Sequence, residues 1–356
     1  MSLSGFLSKT IVRALTLVVM CSVATAVSPV SGIVRAGGAP PAELPAAAAP
    51  GWTAIIPANG KLRLKQPTAL AIDRRGSGKQ KWMYVIDSGN GRIVKFGTGG
   101  RALGSWGNGQ LRNPSGIAVG SQGNVYVADS GNNRIQVYTP NGRFVRSWGA
   151  QGAGPGQFDD PAGVAIGGSG NVFVSDRNNR RVEKFSPTGK LLATWPVPIP
   201  AASQEPSNQP AGPYALTVDG RGNVFVAVDT ALCASHCVMD YILLETFSPA
   251  GKVTRILAGG DPYGRYTYTP LPGLSGDGPW WQIGALAAGT NGRLFLTDWG
   301  PAVVELSAAG KSLDRFGLPS GKGGAAPPQG MAIGPDGSVY VSDTYNNRIL
   351  KLTVGR

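Results

Sequence analysis

A short apolar triplet recurs six times along this chain of 356 residues. In each copy a large apolar residue is followed by Ala or Thr and then by a second apolar residue. The copies are residues 70–72, 117–119, 164–166, 216–218, 286–288 and 331–333. Consecutive apolar positions indicate a short strand that is covered on both faces. The sequence therefore predicts six equivalent buried strands, one in each of six repeats.

A second strand follows each triplet. After five of the six, a turn containing Gly or Asp leads into an alternating segment that ends in aspartate, as in GNVYVAD. These aspartates are Asp87, Asp129, Asp176, Asp298 and Asp343. The remaining segment, GNVFVAVD, fills the long gap between Asp176 and Asp298 and ends in Asp229, one position late. Repeats of this length made of short strands are typical of β-propellers, because one four-stranded sheet cannot bury both of its faces alone.

Repeat 2 shows four strands, joined by short turns rich in Gly and Asn. We therefore predict an all-β fold, a six-bladed β-propeller of four-stranded antiparallel blades. The last repeat lacks a fourth strand, whereas an extra strand precedes the first repeat at residues 51–56. An N-terminal strand that completes the last blade would close the ring and leave no open sheet edge.

The first 50 residues differ in composition from the repeats. Two basic residues, an apolar stretch and the A-x-A site at 24–26 predict a secretory signal peptide over residues 1–26. An N-terminal membrane anchor is the alternative, for which the apolar stretch is short. Residues 27–50 predict a Pro/Ala-rich linker and residues 51–356 the propeller. We therefore expect a secreted or extracytoplasmic protein.

Two cysteines, Cys233 and Cys237, flank the only histidine of the chain, His236. In an oxidising compartment this arrangement predicts a small-loop disulfide. Zinc is the alternative, with Asp240 as a fourth ligand. We favour the disulfide, because a zinc site would need exposed thiolates on a loop outside the cell, and we expect no metal and no cofactor.

The formal net charge of +13 favours acidic partners such as anionic polymers or membrane surfaces. Five repeats place a basic residue at the end of the turn between their third and fourth strands. These residues are Arg101, Arg143, Lys190, Lys252 and Lys311. A basic rim of this kind could attract an anionic partner. We favour the simpler interpretation that it keeps the edge of the hairpins soluble.

Four repeats carry the pattern Asp-x-x-Asn-x-Arg across the turn between their second and third strands. With this spacing the arginine can donate a charge-assisted hydrogen bond to the aspartate across the hairpin. Four equivalent copies cannot all contact one asymmetric ligand, so we interpret the pairs as structural. The pairs are Asp87 with Arg92, Asp129 with Arg134, Asp176 with Arg181, and Asp343 with Arg348. Val228 and Val303 are predicted to replace the Asp of repeat 4 and the Arg of repeat 5.

Three insertions surround repeat 4, at residues 196–211, 229–240 and 259–279. All three fall in connections that emerge at one end of the strands, which we call the top face. They predict a lip over blades 3 to 5, and long insertions among short loops usually carry function. Tyr and Trp offer broad contact area, and Arg can clamp a carboxylate. The candidate ligand-binding residues are Tyr263, Arg265, Tyr266, Tyr268, Asp277 and Trp280.

Residues 113–138, NPSGIAVGSQGNVYVADSGNNRIQVY, resemble the NHL-repeat β-propellers. In that family P-x-G-[IV]-A-[IV] leads into [VYF]-V-x-D-x-x-N-x-R-[IV]. The resemblance covers roughly residues 52–356, and it implies the six-bladed fold and a similarity to exported bacterial sensor propellers. It implies no single activity, because the family includes sensor domains, RNA-binding modules and lyases.

The uncharged inner strands and the single histidine favour a binding module over an enzyme. Propeller hydrolases and lyases need histidines, a metal or convergent carboxylates around the channel. We therefore expect an exported, non-catalytic, monomeric binding or scaffold propeller that recognises a protein, peptide or anionic cell-envelope polymer through the lip. Peripheral association with an anionic membrane surface is a further option, and export disfavours nucleic acid. The alternative is a metal-dependent, lactonase-like hydrolase or a lyase that uses top-face carboxylates.

Overall fold

The computed structural model describes most of the repeat region and none of the first 50 residues. The described residues are 51–56, 62–75, 81–199, 211–234, 237–258, 269–270, 283–289, 292–297, 301–319, 321 and 328–354. They belong to one compact unit, Glu43–Arg356. The predicted signal peptide and linker lie outside them. Nothing within these ranges forms a helix long and apolar enough to cross a membrane.

The strands form six antiparallel sheets, the blades, and within each blade we label the strands a to d from the centre outward. Blade 1 contains β2 (Pro67–Ile72), β3 (Trp82–Asp87), β4 (Arg92–Gly97) and β5 (Ala102–Trp106). Blade 2 contains β6 (Pro114–Val119), β7 (Val125–Asp129), β8 (Arg134–Tyr138) and β9 (Phe144–Trp148). Blade 3 contains β10 (Pro161–Ile166), β11 (Val172–Asp176), β12 (Arg181–Phe185) and β13 (Leu191–Pro196).

The remaining blades follow the same order. Blade 4 contains β14 (Gly212–Val218), β15 (Val224–Ala234), β16 (Cys237–Phe247) and β17 (Val253–Ala258), and the short β18 (Thr269–Pro270) adds a parallel edge. Blade 5 contains β19 (Leu286–Ala288), β20 (Leu294–Thr297), β21 (Ala302–Leu306) and β22 (Ser312–Gly317). Blade 6 contains β23 (Gly330–Ile333), β24 (Val339–Asp343), β25 (Arg348–Leu352) and the N-terminal β1 (Trp52–Ile56). Short 3₁₀ turns span Ser88–Asn90, Ser130–Asn132 and Thr344–Asn346.

The ring closes as predicted, through the N-terminal strand. β1 pairs antiparallel with β25, and Trp52 lies opposite Leu352. The inner strands contact one another in order around the ring, and β23 of blade 6 returns to β2 of blade 1. A hydrophobic cluster fills each space between neighbouring blades; the one between blades 6 and 1 includes Leu70, Val85 and Ile349. The six-bladed all-β prediction is confirmed.

The start of each inner strand requires small residues because neighbouring backbones approach closely there. A β carbon on Gly116 would lie 2.5 Å from the carbonyl oxygen of Ala162 in blade 3. The register also shifts at this point, between Pro114 and Gly116 in blade 2, so that one residue is left unpaired. The same irregularity occurs at the start of β2, β10 and β14. Thr68, Ser115, Ala162 and Tyr214, which lie at these irregularities, line the upper part of the channel.

The strand register shows whether Val228 and Val303 occupy the motif positions that the sequence predicted for them. Val228 pairs with Pro213 as Asp129 pairs with Pro114, so it does occupy the aspartate position of blade 4. The prediction for Val303 was wrong, because it pairs with Thr297 as Ile135 pairs with Ala128. The connection in blade 5 is one residue shorter, and Ala302 therefore takes the place of the arginine.

Candidate functional site

The top face is organised by the four Asp-x-x-Asn-x-Arg motifs. In each, the arginine Nε donates to the aspartate Oδ2 over 2.6–2.8 Å, and the asparagine amide donates to the same carboxylate. Asp129 also accepts from the side chain of Gln136 at 2.7 Å and from the backbone N–H of Arg112 at 2.7 Å. These aspartates are almost fully buried, and burial raises the pKa of Asp176 even though its partners oppose the shift. Their hydrogen-bonding capacity is used within the fold.

The motif arginines also fix the loops that lead from one blade to the next. Arg134 Nη2 donates to the carbonyl of Gln110 at 3.1 Å, and Arg181 Nη2 donates to Gly154 and Gln157 at 2.9 and 2.7 Å. Arg348 makes the equivalent contact with Pro319 at 2.6 Å. Each motif therefore joins its own hairpin to the preceding loop. This rigid frame surrounds the opening of the central channel.

The channel contains a cavity of about 800 Å³ below this frame. Its floor is formed by the first residue of each apolar triplet, one from every blade. These residues are Leu70, Ile117, Val164, Leu216, Leu286 and Met331, each at most 7% exposed. The floor of the cavity is therefore apolar and carries no charge.

Three charged side chains and one tyrosine line the cavity above the floor, at what we call the channel mouth: Asp160, Arg177, Asp229 and Tyr214. Arg177 Nη2 lies 3.1 Å from Asp229 Oδ2, and Arg177 Nη1 lies 3.8 Å from Asp160 Oδ2. The side chain of Asp160 is 39% exposed. The hydroxyl of Tyr214 donates to the carbonyl of Ile283, and burial raises the pKa of this phenol well above its usual value. The mouth thus carries two carboxylates and one guanidinium at the boundary of blades 3 and 4.

Hydroxyl groups bridge the inner strands around the mouth. Ser130 donates to the carbonyl of Pro161 at 2.6 Å, and Ser115 donates to the carbonyl of Ala162 at 2.6 Å. Thr344 makes the equivalent bond to Pro67 at 2.7 Å across the closure of the ring. These contacts hold the blades at fixed separations, so the width of the mouth is set by the fold.

The lower end of the channel is narrowed by Arg74. Its Nη2 lies 3.3 Å from the carbonyl oxygens of both Ala288 and Ile333, which end the inner strands of blades 5 and 6. The Arg74 side chain is accessible to solvent. The protein atoms around it partly desolvate the guanidinium, and this desolvation lowers its pKa. The cavity therefore opens towards the top face.

The predicted lip falls largely outside the described residues. Its six candidate residues, from Tyr263 to Trp280, all lie outside, whereas the insertion at 229–240 extends β15 and β16 into a long hairpin. In this hairpin Cys233 pairs with Val238 and Cys237 with Ala234, so the two cysteines are not directly opposite one another. Their side chains are outside the described set, and the disulfide remains a prediction.

The sequence reasoning missed the charges at the channel mouth. Arg177 follows the motif aspartate at a position where the other motifs have Ser88, Ser130 or Thr344. Two sequence features could have indicated the mouth. Arg177 is a long cation where the other motifs have a small hydroxyl residue, and Asp229 is displaced by one position from the motif aspartate. Among the described residues, no group of three or more His, Cys, Asp or Glu side chains is arranged to hold a metal ion.

Comparisons with known proteins agree with this architecture. The NHL repeat model matches residues 111–138, 158–185 and 328–352. The chain is similar to virginiamycin B lyase from Staphylococcus aureus, with 14% identity, a TM-score of 0.52, and coverage of 85% of this chain and 99% of that chain. For a gluconolactonase from Xanthomonas campestris the identity is 11%, the TM-score 0.56 and the coverage 87% and 92%.

A third structure, the WD40 repeats of RRP9, shares 11% identity with a TM-score of 0.53 and coverage of 86% of this chain and 99% of that chain. No curated protein matches the sequence. Similarities at these identities show the fold alone, and the same fold carries a lyase, a lactonase and a WD40 protein. The chain therefore contains NHL repeats in blades 2, 3 and 6 and folds as a six-bladed β-propeller.

Proposed function

We propose that this protein is an exported binding or scaffold propeller, without catalysis of its own, that holds a segment of a protein or peptide at its top face. The observation that carries the proposal is the cavity, which combines an apolar floor with a charge-paired mouth. An apolar group of the ligand would occupy the floor, and its polar groups would meet the mouth. Sites of this composition are typical of ligand binding.

The polar groups of the mouth support binding over catalysis. Arg177 is already paired with Asp229, and the hydroxyls of Ser115 and Ser130 donate to backbone carbonyls. Catalytic nucleophiles and bases need each other within hydrogen-bond reach, and these groups are paired for other purposes. The predicted lip residues Tyr263, Arg265, Tyr266, Tyr268, Asp277 and Trp280 belong to this proposal as additional contacts.

The proposal can be tested by selecting peptides from a displayed random library on the wild-type protein. The test variant combines Arg177→Gln with Asp229→Asn, which removes the Arg177–Asp229 ion pair of the mouth and leaves polar side chains in its place. The matched control combines Arg293→Gln with Glu305→Gln, which removes an ion pair of 2.5 Å remote from the mouth. We expect the selected peptides to bind the control normally and the mouth variant at least about ten-fold more weakly, because paired charges lining a binding site contribute at least about 1.4 kcal/mol.

Equal binding to both variants would contradict the assignment of the mouth. A second variant, Arg265→Ala with Tyr266→Ala and Tyr268→Ala, tests the contribution of the lip in the same way. The lactonase-like or lyase alternative predicts a different outcome. Turnover of lactones or esters that depends on a divalent ion, and that is lost in the mouth variant, would establish catalysis instead.

A further inference from the structure

The bottom face of the propeller, opposite the channel mouth, is strongly basic. It consists of the connections from strand a to b and from strand c to d, which all emerge at this end because strands alternate in direction. Among described residues these connections carry ten basic side chains and three carboxylates. The basic residues are Arg74, Arg75, Lys81, Arg101, Arg143, Lys190, Arg221, Lys252, Arg293 and Lys311, and the acidic residues are Asp73, Asp219 and Asp336.

Five of these cations occupy the same position in successive blades, at the end of the turn from strand c to d. They are Arg101, Arg143, Lys190, Lys252 and Lys311, and all five are exposed. Within the part of the chain that the structure describes, none of the five forms an ion pair. Their charges are therefore available to an external partner.

An exposed apolar residue accompanies four of these five cations. The outer strand of each of these blades has a register shift directly after the turn, which leaves one residue without a partner on strand c. The residues left unpaired are Leu103, Val145, Leu192 and Leu313. Their exposed fractions are 40%, 37%, 48% and 44%, which places them among the few large exposed apolar side chains of the described residues. Each lies two positions after its basic residue, so the pair recurs around the ring.

We propose that this basic and apolar ring, defined by the five cations and the four unpaired apolar residues, docks the propeller on a lipid bilayer that contains anionic lipids. Basic side chains beside an anionic leaflet gain electrostatic energy, and adjacent apolar side chains gain by entering the boundary between headgroups and acyl chains. A soluble polyanion would use the cations and leave the apolar residues without a role. The alternation of the two kinds of residue therefore favours a membrane surface.

The entry point of the chain agrees with this orientation. β25 runs from the top face to the bottom face, and β1 is antiparallel to it with Trp52 opposite Leu352. β1 therefore begins at the bottom face, the same face that carries the ring. Docking at this face leaves the channel mouth directed away from the bilayer. The ring would thus serve a propeller that receives its ligand from the opposite side.

The experiment measures co-sedimentation of the full chain with phosphatidylcholine vesicles prepared with and without phosphatidylglycerol. The charge variant combines Arg101→Gln, Arg143→Gln and Lys190→Gln. Its matched control removes three exposed cations of the top face, by Arg63→Gln, Lys65→Gln and Arg112→Gln. The apolar variant combines Leu103→Thr, Leu192→Thr and Leu313→Thr, which preserves strand propensity.

We expect binding that requires phosphatidylglycerol and weakens with salt. The charge variant should lose on the order of 100-fold in partition coefficient, because each basic residue near such a surface contributes about a five-fold factor. The top-face control should lose far less, and the apolar variant should lose about ten-fold or more.

Two results would overturn the proposal. If the charge variant and its control bind alike, the N-terminal segment or the net charge is responsible for association. If the apolar variant binds as wild type and polyphosphate displaces the protein completely, the ring is a site for polyanions. Unfolding curves identify any variant that misfolds, and for such a variant the single substitutions Lys190→Gln and Leu192→Thr give the same comparison.

Discussion

Replacing Glu245 with glutamine is expected to remove a large part of the pH dependence of folding. Glu245 lies in the third strand of blade 4 and its side chain is 0% exposed. Neither of its buried carboxylate oxygens has a hydrogen-bond partner among the residues that the structure describes. Burial raises the pKa of its carboxyl group to about 8. The register places Glu245 opposite Val226 as Gln136 lies opposite Val127. In blade 2 Gln136 donates to Asp129, but in blade 4 the aspartate position is occupied by Val228 and that partner is lost.

The direction of the effect follows from the raised pKa. The folded state binds the proton of Glu245 more tightly than the unfolded chain, in which the ordinary value is 4.5. The stabilisation by this proton is fully present below about pH 4.5 and is lost as the pH rises through about 8. Across this window the free energy of unfolding falls by about 1.4 kcal/mol per pH unit, a total of about 5 kcal/mol. Glutamine keeps the shape of the side chain and cannot ionise.

Urea unfolding of the wild-type protein and Glu245→Gln at about pH 5, 6.5 and 8 measures this difference. We expect the two proteins to be similar near pH 5 and the variant to be more stable by several kcal/mol near pH 8, on the order of the burial penalty. Glu183 occupies the same position in blade 3, and burial also raises the pKa of its carboxyl. It accepts from the backbone N–H of Gly156 at 3.1 Å and lies 3.4 Å from Arg181, so Glu183→Gln should show a shallower dependence. Parallel curves for the wild type and Glu245→Gln across this range would refute the reasoning.

Two further predictions test the closure and the spacing of the blades. Deleting residues 51–60 should lower the midpoint of thermal unfolding by about 10 °C or more, because it exposes the edge of β25, where Leu352 is fully buried; an unchanged melting curve would contradict closure by β1. Gly116→Ala should destabilise the protein by about 1–3 kcal/mol, because its new β carbon meets the backbone of blade 3. Gly104→Ala is the control, since no atom lies within 4 Å of the added carbon, and equal effects in denaturant titrations would refute the close approach.

The sequence alone determined the number of blades, the strands and the hairpin contacts. These features depend on residues close together in the chain, and they recur. Apolar triplets can be buried only between stacked sheets, and an aspartate five positions before an arginine reaches it across one hairpin. The extra N-terminal strand and the missing last strand also predicted the closure, because an open sheet edge is unfavourable. Where the repeat changed length, as at Val303, the repeat pattern predicted the wrong register.

The tertiary structure determined which side chains come together in the candidate sites. Arg177 and Asp229 are 52 positions apart and meet only because blades 3 and 4 are neighbours in the ring. The isolation of Glu245 depends on Val228, which replaces the motif aspartate on the neighbouring strand, and the ring on the bottom face depends on register shifts that leave Leu103 and its equivalents unpaired. The repeated sequence pattern determines the fold, through local hairpin contacts and the regular spacing of apolar residues. A site is made by single residues that break the repetition, and their partners are set by the closed ring.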